Sequence, residues 1–393
     1  MELDKHIVLM PMPSSASQQR YHGIDLLRIV AMIMICIIHV NYFIVFPCKA
    51  DVPVALTNFS LWLEGVGIIG VNLYALTTGY VCVNVQWKLA RILRIWGLVF
   101  FYAFSIGLLA YALSAFGFIS WSLSLYDCAK TFLREVLTFR SYWYVSAYVG
   151  LFFVVPFLNV AIKVLDKRQL KQVLIVLLGI FPILNIVWGR YLYGSGSDFV
   201  WLAVMYIAGA YVRLYLDRPS IFGKDAETPS GSGSVCSKFF STPILLLISL
   251  LCSFQFVLLQ SFPCGKYWSN SWPVNVFYAL AVFVIFARWN VRSGKLVAFI
   301  KWAAPATFSV YLIHLHPYIH RLFVDGGDMW LQKFGGPIWF SLAYGLLVYL
   351  FCTIVDRFRM AAFKFCRVEQ FWNIAGSWLE RCAARLLAPF LKG

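Results

Sequence analysis

Arg28 and His39 are the first residues able to do chemistry. They stand eleven positions apart in the apolar run RIVAMIMICIIH. At about 100° per residue, eleven steps end about 20° past three full turns of an α-helix, so both side chains share a face about 16 Å apart along the axis. Asp25, three residues before Arg28, can pair with it across one turn. A guanidinium and an imidazole on one face suit charge stabilisation at one end of a path and proton transfer at the other. The plainer reading is that Arg28 reaches head groups and His39 bonds a neighbouring helix. A late run, YLIHLHPYIH, adds His314 and His316, followed by Pro317, which removes a backbone hydrogen bond and opens the helix locally. Glu64 begins the second apolar run. It either caps a helix end or lies beside His39, where a carboxylate would raise the imidazole's basicity and fix its tautomer.

Two further groups surround these residues. QWKLARILRIW gathers Lys88, Arg91 and Arg94, which either anchor a helix end to the membrane or clamp phosphates. Trp143, Tyr144 and Tyr148 open the fourth apolar run, either as an interfacial aromatic belt or as a platform on which sugar faces stack. GVNLYALTTGY collects small and polar residues that let helices approach closely.

Such residues need a scaffold, and composition names its class. The chain has 393 residues, 61% hydrophobic and 13% charged, with mean hydropathy +0.76. Soluble domains carry about a quarter charged residues, so a cytosolic globular enzyme, a disordered chain and a soluble solenoid are excluded. The expected fold is all-α, a polytopic membrane bundle of about ten transmembrane helices. The runs are 24–46, 60–82, 90–114, 142–163, 172–189, 199–216, 242–262, 272–289, 301–324 and 337–356. With the N-terminus inside, the cytoplasmic segments hold 24 Lys and Arg against eight in the outer loops. That bias predicts both termini cytoplasmic in a multi-pass plasma-membrane protein. The net charge of +16 is thereby read as topology and contact with membrane lipids. No nucleic-acid partner is expected, since no RNA- or DNA-binding signature accompanies the charge.

Residues 1–356 form the expected membrane domain, with a Gly- and Ser-rich cytoplasmic loop at 217–241. Residues 357–393 read as a basic amphipathic cytoplasmic tail lying at the interface. Residues 1–20 lack the apolar core of a cleavable signal peptide, so the first run is expected in the mature chain. None of the ten cysteines has metal-ligand spacing and no metal is expected. Cys48, Cys128 and Cys264 fall in expected outer loops, where one pair could form a disulfide.

Taken in order, these segments resemble the integral-membrane acyltransferase family 3, known as bacterial O-acetyltransferases of surface polysaccharides. RYHGIDLLRIVAMIMICIIHV is similar to its opening Arg-to-His signature. GVNLYALTTGY resembles its Phe-Phe-x-x-Ser-Gly-Tyr/Phe segment, with Thr78-Gly79-Tyr80 and Leu73-Tyr74 as departures. KLARILRIW, SYWYVSAYVGLFFVVPFLN and FSVYLIHLHPYI resemble its basic stretch, its Trp-Phe/Tyr helix ending in Pro156, and its late Tyr-Leu-x-His motif. The resemblance implies an acetyl group carried from cytoplasmic acetyl-CoA, as donor substrate and not a resident cofactor, to a sugar hydroxyl of a cell-surface or lipid-linked glycan. On that reading His39 is base or transient acyl carrier, with Glu64 orienting it or the acceptor, and His314 comes second; Thr78 and Tyr144 are unranked candidate donors to the developing oxyanion. Arg28, Lys88, Arg91 and Arg94 would meet the donor, and Trp143, Tyr144 and Tyr148 the sugar. The rival function is a transporter or flippase of a lipid-linked saccharide, which predicts repeated halves with matching broken helices; no such repeat is visible.

Overall fold

A computed structural model describes residues 21–48, 51–188, 196–216, 241–260 and 268–387. Among these the chain is helical throughout, with no strand. The expected Gly- and Ser-rich loop, all but Ser241, lies outside the described residues, as does Cys264. Cys48 and Cys128 carry free thiols.

The first apolar run folds as α1 (His22–Val40), which widens into a π-turn at Asn41–Val45. The second breaks into α2 (Val54–Gly67) and α3 (Gly70–Cys82). Then follow α4 (Ala90–Ala115), α5 (Leu125–Thr138), α6 (Trp143–Val164), α7 (Lys167–Trp188) and α8 (Phe199–Tyr211). After the loop come α9 (Thr242–Ser253), α10 (Gln255–Leu259), α11 (Pro273–Arg288), α12 (Gly294–Ala303), α13 (Thr307–His314), α14 (Pro317–Phe334), α15 (Phe340–Phe365) and α16 (Val368–Leu387). Among the described residues eight helical stretches are long and apolar enough to cross a membrane. Of the ten expected runs, 272–289 corresponds to the shorter apolar α11, and 337–356 overlaps α15, which is outside the eight, starts at Phe340 and runs on to Phe365, past the expected start of the tail at 357.

Two further expectations differ from the structure. The run 301–324 is not one helix. The membrane stretch is Gly294–His314, bent through a 3₁₀ turn at Ala304–Ala306, and a separate helix starts at Pro317. Proline there occupies the first helical position, where its missing N–H costs nothing, and the His316 ring accepts the N–H of Tyr318 at 3.3 Å as the cap. The outer segment before α6, expected as a loop, holds amphipathic α5, started by a capping box in which Ser124 and Asp127 bond each other's backbone.

The distribution of burial is that of a bundle in lipid. In the stretches His22–Val45 and Gly294–His314, 56% of the most apolar window is buried, against 22% in Lys167–Val187 and Thr242–Leu259. The two buried stretches are those carrying His39 and His314. Lipid supplies no hydrophobic drive between helices, so close packing rests on small residues. α3 and α8 are joined this way from both sides: a Cβ on Gly79 would strike the backbone of Tyr206, and one on Gly209 the backbone of Leu76. α1 is held similarly, with Gly67 of α2 against Ile38 and Gly345 of α15 against Ile37. The tail helix α16 lies across the start of α4, where Trp372 covers Gly97 and Ala90 meets Gly376.

Candidate active site

His39 precedes the π-turn, at the point where α1 meets α13. Its Nδ1 lies 2.8 Å from His314 Nε2, and His314 Nδ1 lies 2.6 Å from the carbonyl oxygen of Val310. A carbonyl only accepts, so His314 Nδ1 carries the hydrogen. In a neutral ring its Nε2 is then a lone pair. His39 Nδ1 therefore donates to it, which leaves His39 Nε2 as a free lone pair. A backbone carbonyl thus sets the tautomer of one ring, and that ring sets the tautomer of the next. His314 is buried at 3% exposure, whereas His39 is only partly buried and lines a cavity.

That cavity has a volume of about 170 Å³. Its walls include His39, Ile35 and Met32 of α1, Tyr74 of α3, Trp143 and Tyr144 of α6, Tyr311 of α13, and Trp268 and Asn270. It is smaller than the ~300–1,000 Å³ of pockets that swallow whole drug-sized ligands. It fits a reacting end: an acyl group and one hydroxyl-bearing ring edge. A second, narrower cavity lies among Thr78, Cys82, Trp87, Arg91, Tyr148 and Phe152. Tyr144 and Tyr148, one turn apart on α6 with ring centroids 6.3 Å apart, stand one in each wall. Tyr74, in the wall of the His39 cavity, holds the backbone of Arg28 through its hydroxyl. A polar and aromatic seam therefore runs from Arg91 past Arg28 to His39.

The expected shared face of α1 is present. Arg28 Nη2 approaches Thr307 Oγ1 at 3.5 Å, and its Nη1 pairs with Asp25 at 3.5 Å. Thr307 and His314 open and close α13, so one helix receives both Arg28 and His39. Glu64 is brought elsewhere. Its Oε2 accepts from Asn41 Nδ2 at 3.2 Å, and Asn41 also donates to the Ser60 carbonyl at 3.0 Å. His314, and not Glu64, is the hydrogen-bond partner of His39; Glu64 instead buttresses the π-turn next to it. In the basic cluster Arg91 faces the narrower cavity. Lys88 is exposed, and Arg94 Nη2 donates to Asn373 Oδ1 of α16 at 2.5 Å. Trp143 is 37% exposed yet still lines the cavity with Tyr144.

Two contributors escaped sequence reasoning, Asn41 and Thr307, and two more, Tyr74 and Tyr311, lie inside the segments GVNLYALTTGY and FSVYLIHLHPYI without a role that the sequence assigns. Asn41 is a buried amide inside an apolar run, a signal as strong as that of Glu64. Tyr74 donates to the Arg28 carbonyl at 2.8 Å, a contact no spacing rule forecasts.

Residues 21–357 match the protein family described as the acyltransferase domain, family 3 of that name. No curated protein and no solved structure matches the chain. The match takes in both histidines, the cavity and the basic cluster, and leaves α16 outside.

Proposed function

Since the chain belongs to the membrane acyltransferase family 3, we propose that it moves an acetyl group from cytoplasmic acetyl-CoA to a sugar hydroxyl of a cell-surface or lipid-linked glycan at the plasma membrane, with both termini cytoplasmic. The observation that carries the reading is the Val310–His314–His39 relay ending in a free Nε2 at the wall of a cavity.

Acyl transfer to a hydroxyl needs a base within hydrogen-bond reach of that proton. His39 Nε2 takes the proton of the sugar hydroxyl as its oxygen attacks the thioester carbonyl carbon. The tetrahedral adduct collapses, the C–S bond breaks, and the CoA thiolate leaves with the proton from His39. His314 holds the ring in the tautomer that keeps Nε2 open, so it is a positioning residue. Glu64 acts through Asn41 on the turn that aims His39. Arg91, with Lys88 and Arg94 beside it, receives the CoA phosphates, to which guanidinium forks bind bidentately. Arg28 sits further along the seam, where it meets the donor near its reacting end. Trp143, Tyr144 and Tyr148 offer aromatic faces to pantetheine and sugar.

The test is paired. Surface glycan from cells with and without the protein is compared by mass spectrometry for the mass of one acetyl group per modified sugar. Purified protein in liposomes is assayed in parallel for release of CoA thiol from acetyl-CoA. His39→Ala should lose both signals while remaining folded. Wild-type acetylation in the His39→Ala strain would remove His39 from the mechanism.

A further inference from the structure

We propose that Tyr311 is a catalytic residue of this site: its phenol donates the hydrogen bond that holds the oxyanion formed at the thioester carbonyl. This rests on the acyl-transfer reading above, and adds the donor which that reading lacks.

The inference follows from accounting for hydroxyl protons around the cavity. The sequence offered Thr78 and Tyr144. Tyr144 lines the cavity and, among the described residues, its hydroxyl makes no hydrogen bond, but its oxygen accepts no helix N–H and so lacks the polarisation that sets Tyr311 apart. Thr78 Oγ1 donates to the carbonyl of Tyr74 at 2.8 Å, one turn back on its own helix, so its proton is taken. Tyr74 lines the cavity, but its hydroxyl donates to the Arg28 carbonyl at 2.8 Å. Tyr311 differs. Its oxygen accepts the backbone N–H of Tyr144 at 3.2 Å, so this bond uses a lone pair and leaves the phenolic proton available. Among the described residues nothing accepts that proton. Tyr311 is 5% exposed and its ring stands in the cavity wall with His39.

The bond that Tyr311 accepts strengthens it as a donor. Tyr144 is the second residue of α6, and the first four N–H groups of a helix have no partner within it. They form the positive end of the helix dipole, equivalent to about half an elementary charge. A phenol oxygen that accepts such an N–H is polarised and donates more strongly. What Tyr144 contributes here is thus its amide, relayed through Tyr311. The placement suits the chemistry. Tyr311 precedes His314 by three residues on α13, with ring centroids 6.2 Å apart, and His314 holds His39. A single helix turn therefore fixes both the base and the oxyanion donor.

In the step itself the sugar oxygen bonds to the carbonyl carbon while its proton passes to His39 Nε2. The C=O π pair moves onto the carbonyl oxygen, which receives the Tyr311 O–H. Collapse restores the carbonyl, expels the thiolate and returns the proton to it. Tyr311 keeps its own proton throughout.

The test is the rate of CoA release and glycan acetylation by full-length protein in liposomes. Removing one oxyanion donor costs about 10²–10³ in kcat. Tyr311→Phe should fall by that much, with KM for acetyl-CoA within threefold of wild type. Tyr144→Phe removes the rival hydroxyl while keeping the amide and the ring face, and should cost less in kcat than Tyr311→Phe; a larger loss in Tyr144→Phe than in Tyr311→Phe overturns the assignment to Tyr311. Because Tyr311→Phe also uncaps α6, a second variant separates chemistry from structure. Replacing Tyr311 with 3,5-difluorotyrosine keeps the ring and a hydroxyl that is the stronger acid, and should recover the activity lost in Tyr311→Phe. A Tyr311→Phe enzyme within threefold of wild type overturns the proposal, as does a difluorotyrosine enzyme no faster than Tyr311→Phe. A wild-type protein that releases no CoA overturns the acyl-transfer reading itself; an active wild type with an indifferent Tyr311 overturns the oxyanion role alone.

Discussion

Replacing His314 with Ala isolates the tautomer relay from the rest of the site. The variant removes the acceptor 2.8 Å from His39 Nδ1 and the donor 2.6 Å from the Val310 carbonyl. His39 Nδ1–H is then left without a partner at the buried side of its ring, a loss of about 1–3 kcal/mol. The ring can recover part of that loss by flipping or by changing tautomer, and either movement turns Nε2 away from the cavity. At 1.36 kcal/mol per decade, the productive orientation becomes about 5- to 150-fold rarer. That factor belongs in kcat. KM for acetyl-CoA should move less than twofold, because Arg91 lines a different cavity. The assay is initial-rate CoA release in liposomes over a range of acetyl-CoA, with size-exclusion profiles to verify folding. His314→Gln carries an amide oxygen able to accept from Nδ1 and should restore a measurable part of the rate. A His314→Ala enzyme with unchanged kcat would refute the relay. So would one whose whole defect lay in KM, since that places His314 in donor binding.

Two further perturbations test the flanking groups. Arg91→Ala should raise KM for acetyl-CoA at least fivefold, while Arg94→Ala should change it less, because that guanidinium is already engaged by Asn373; equal effects in titrations with CoA would show that α16 yields Arg94 to the donor. Glu64→Gln keeps an oxygen for Asn41 Nδ2 and should retain kcat within about threefold, whereas Glu64→Ala leaves that buried amide short of a partner and should lower thermal stability, by about 1–3 kcal/mol; a Glu64→Gln enzyme as dead as His39→Ala would make Glu64 a participant in proton transfer.

The distance in sequence between partners decides what could be read without coordinates. Helical periodicity placed Arg28 and His39 on one face because both lie on α1, and the face is realised as contacts to Thr307 and His314. The pairing of His39 with His314 spans 275 residues and depends on how α1 and α13 pack, which no local pattern encodes. Glu64 looked like the natural partner because depth alone was available; depth does not say around which side of α1 a side chain points. α5 escaped for another reason. It is too short and too polar to register as a span, although the Ser124–Asp127 capping box was present in the letters. Pro317 reads from the letters as a local opening within one helix, whereas it is the first residue of another. Tyr311 is the tyrosine of the Tyr-Leu-x-His segment, but the letters give it no role, because a tyrosine in an apolar run is ordinary and only its bond to a helix N-terminus sets it apart.

The arrangement also answers a constraint set by the membrane. A full charge at mid-depth costs several kcal/mol by insertion scales, so a catalytic centre there is best assembled from groups that are neutral at rest. His39, His314 and Tyr311 meet that condition, and each is aimed by a backbone group or by another neutral ring. The permanent charges lie apart from them, Arg91 in the wall of the other cavity and Arg28 held by Asp25 and Thr307. On the proposed reading, charge develops at the centre only when the thioester carbonyl is attacked, against donors already in place. A guanidinium at Tyr311 would stabilise that oxyanion more strongly, but it would carry its desolvation cost through the whole resting cycle. A phenol polarised by the start of α6 gives a preorganised donor without a buried charge.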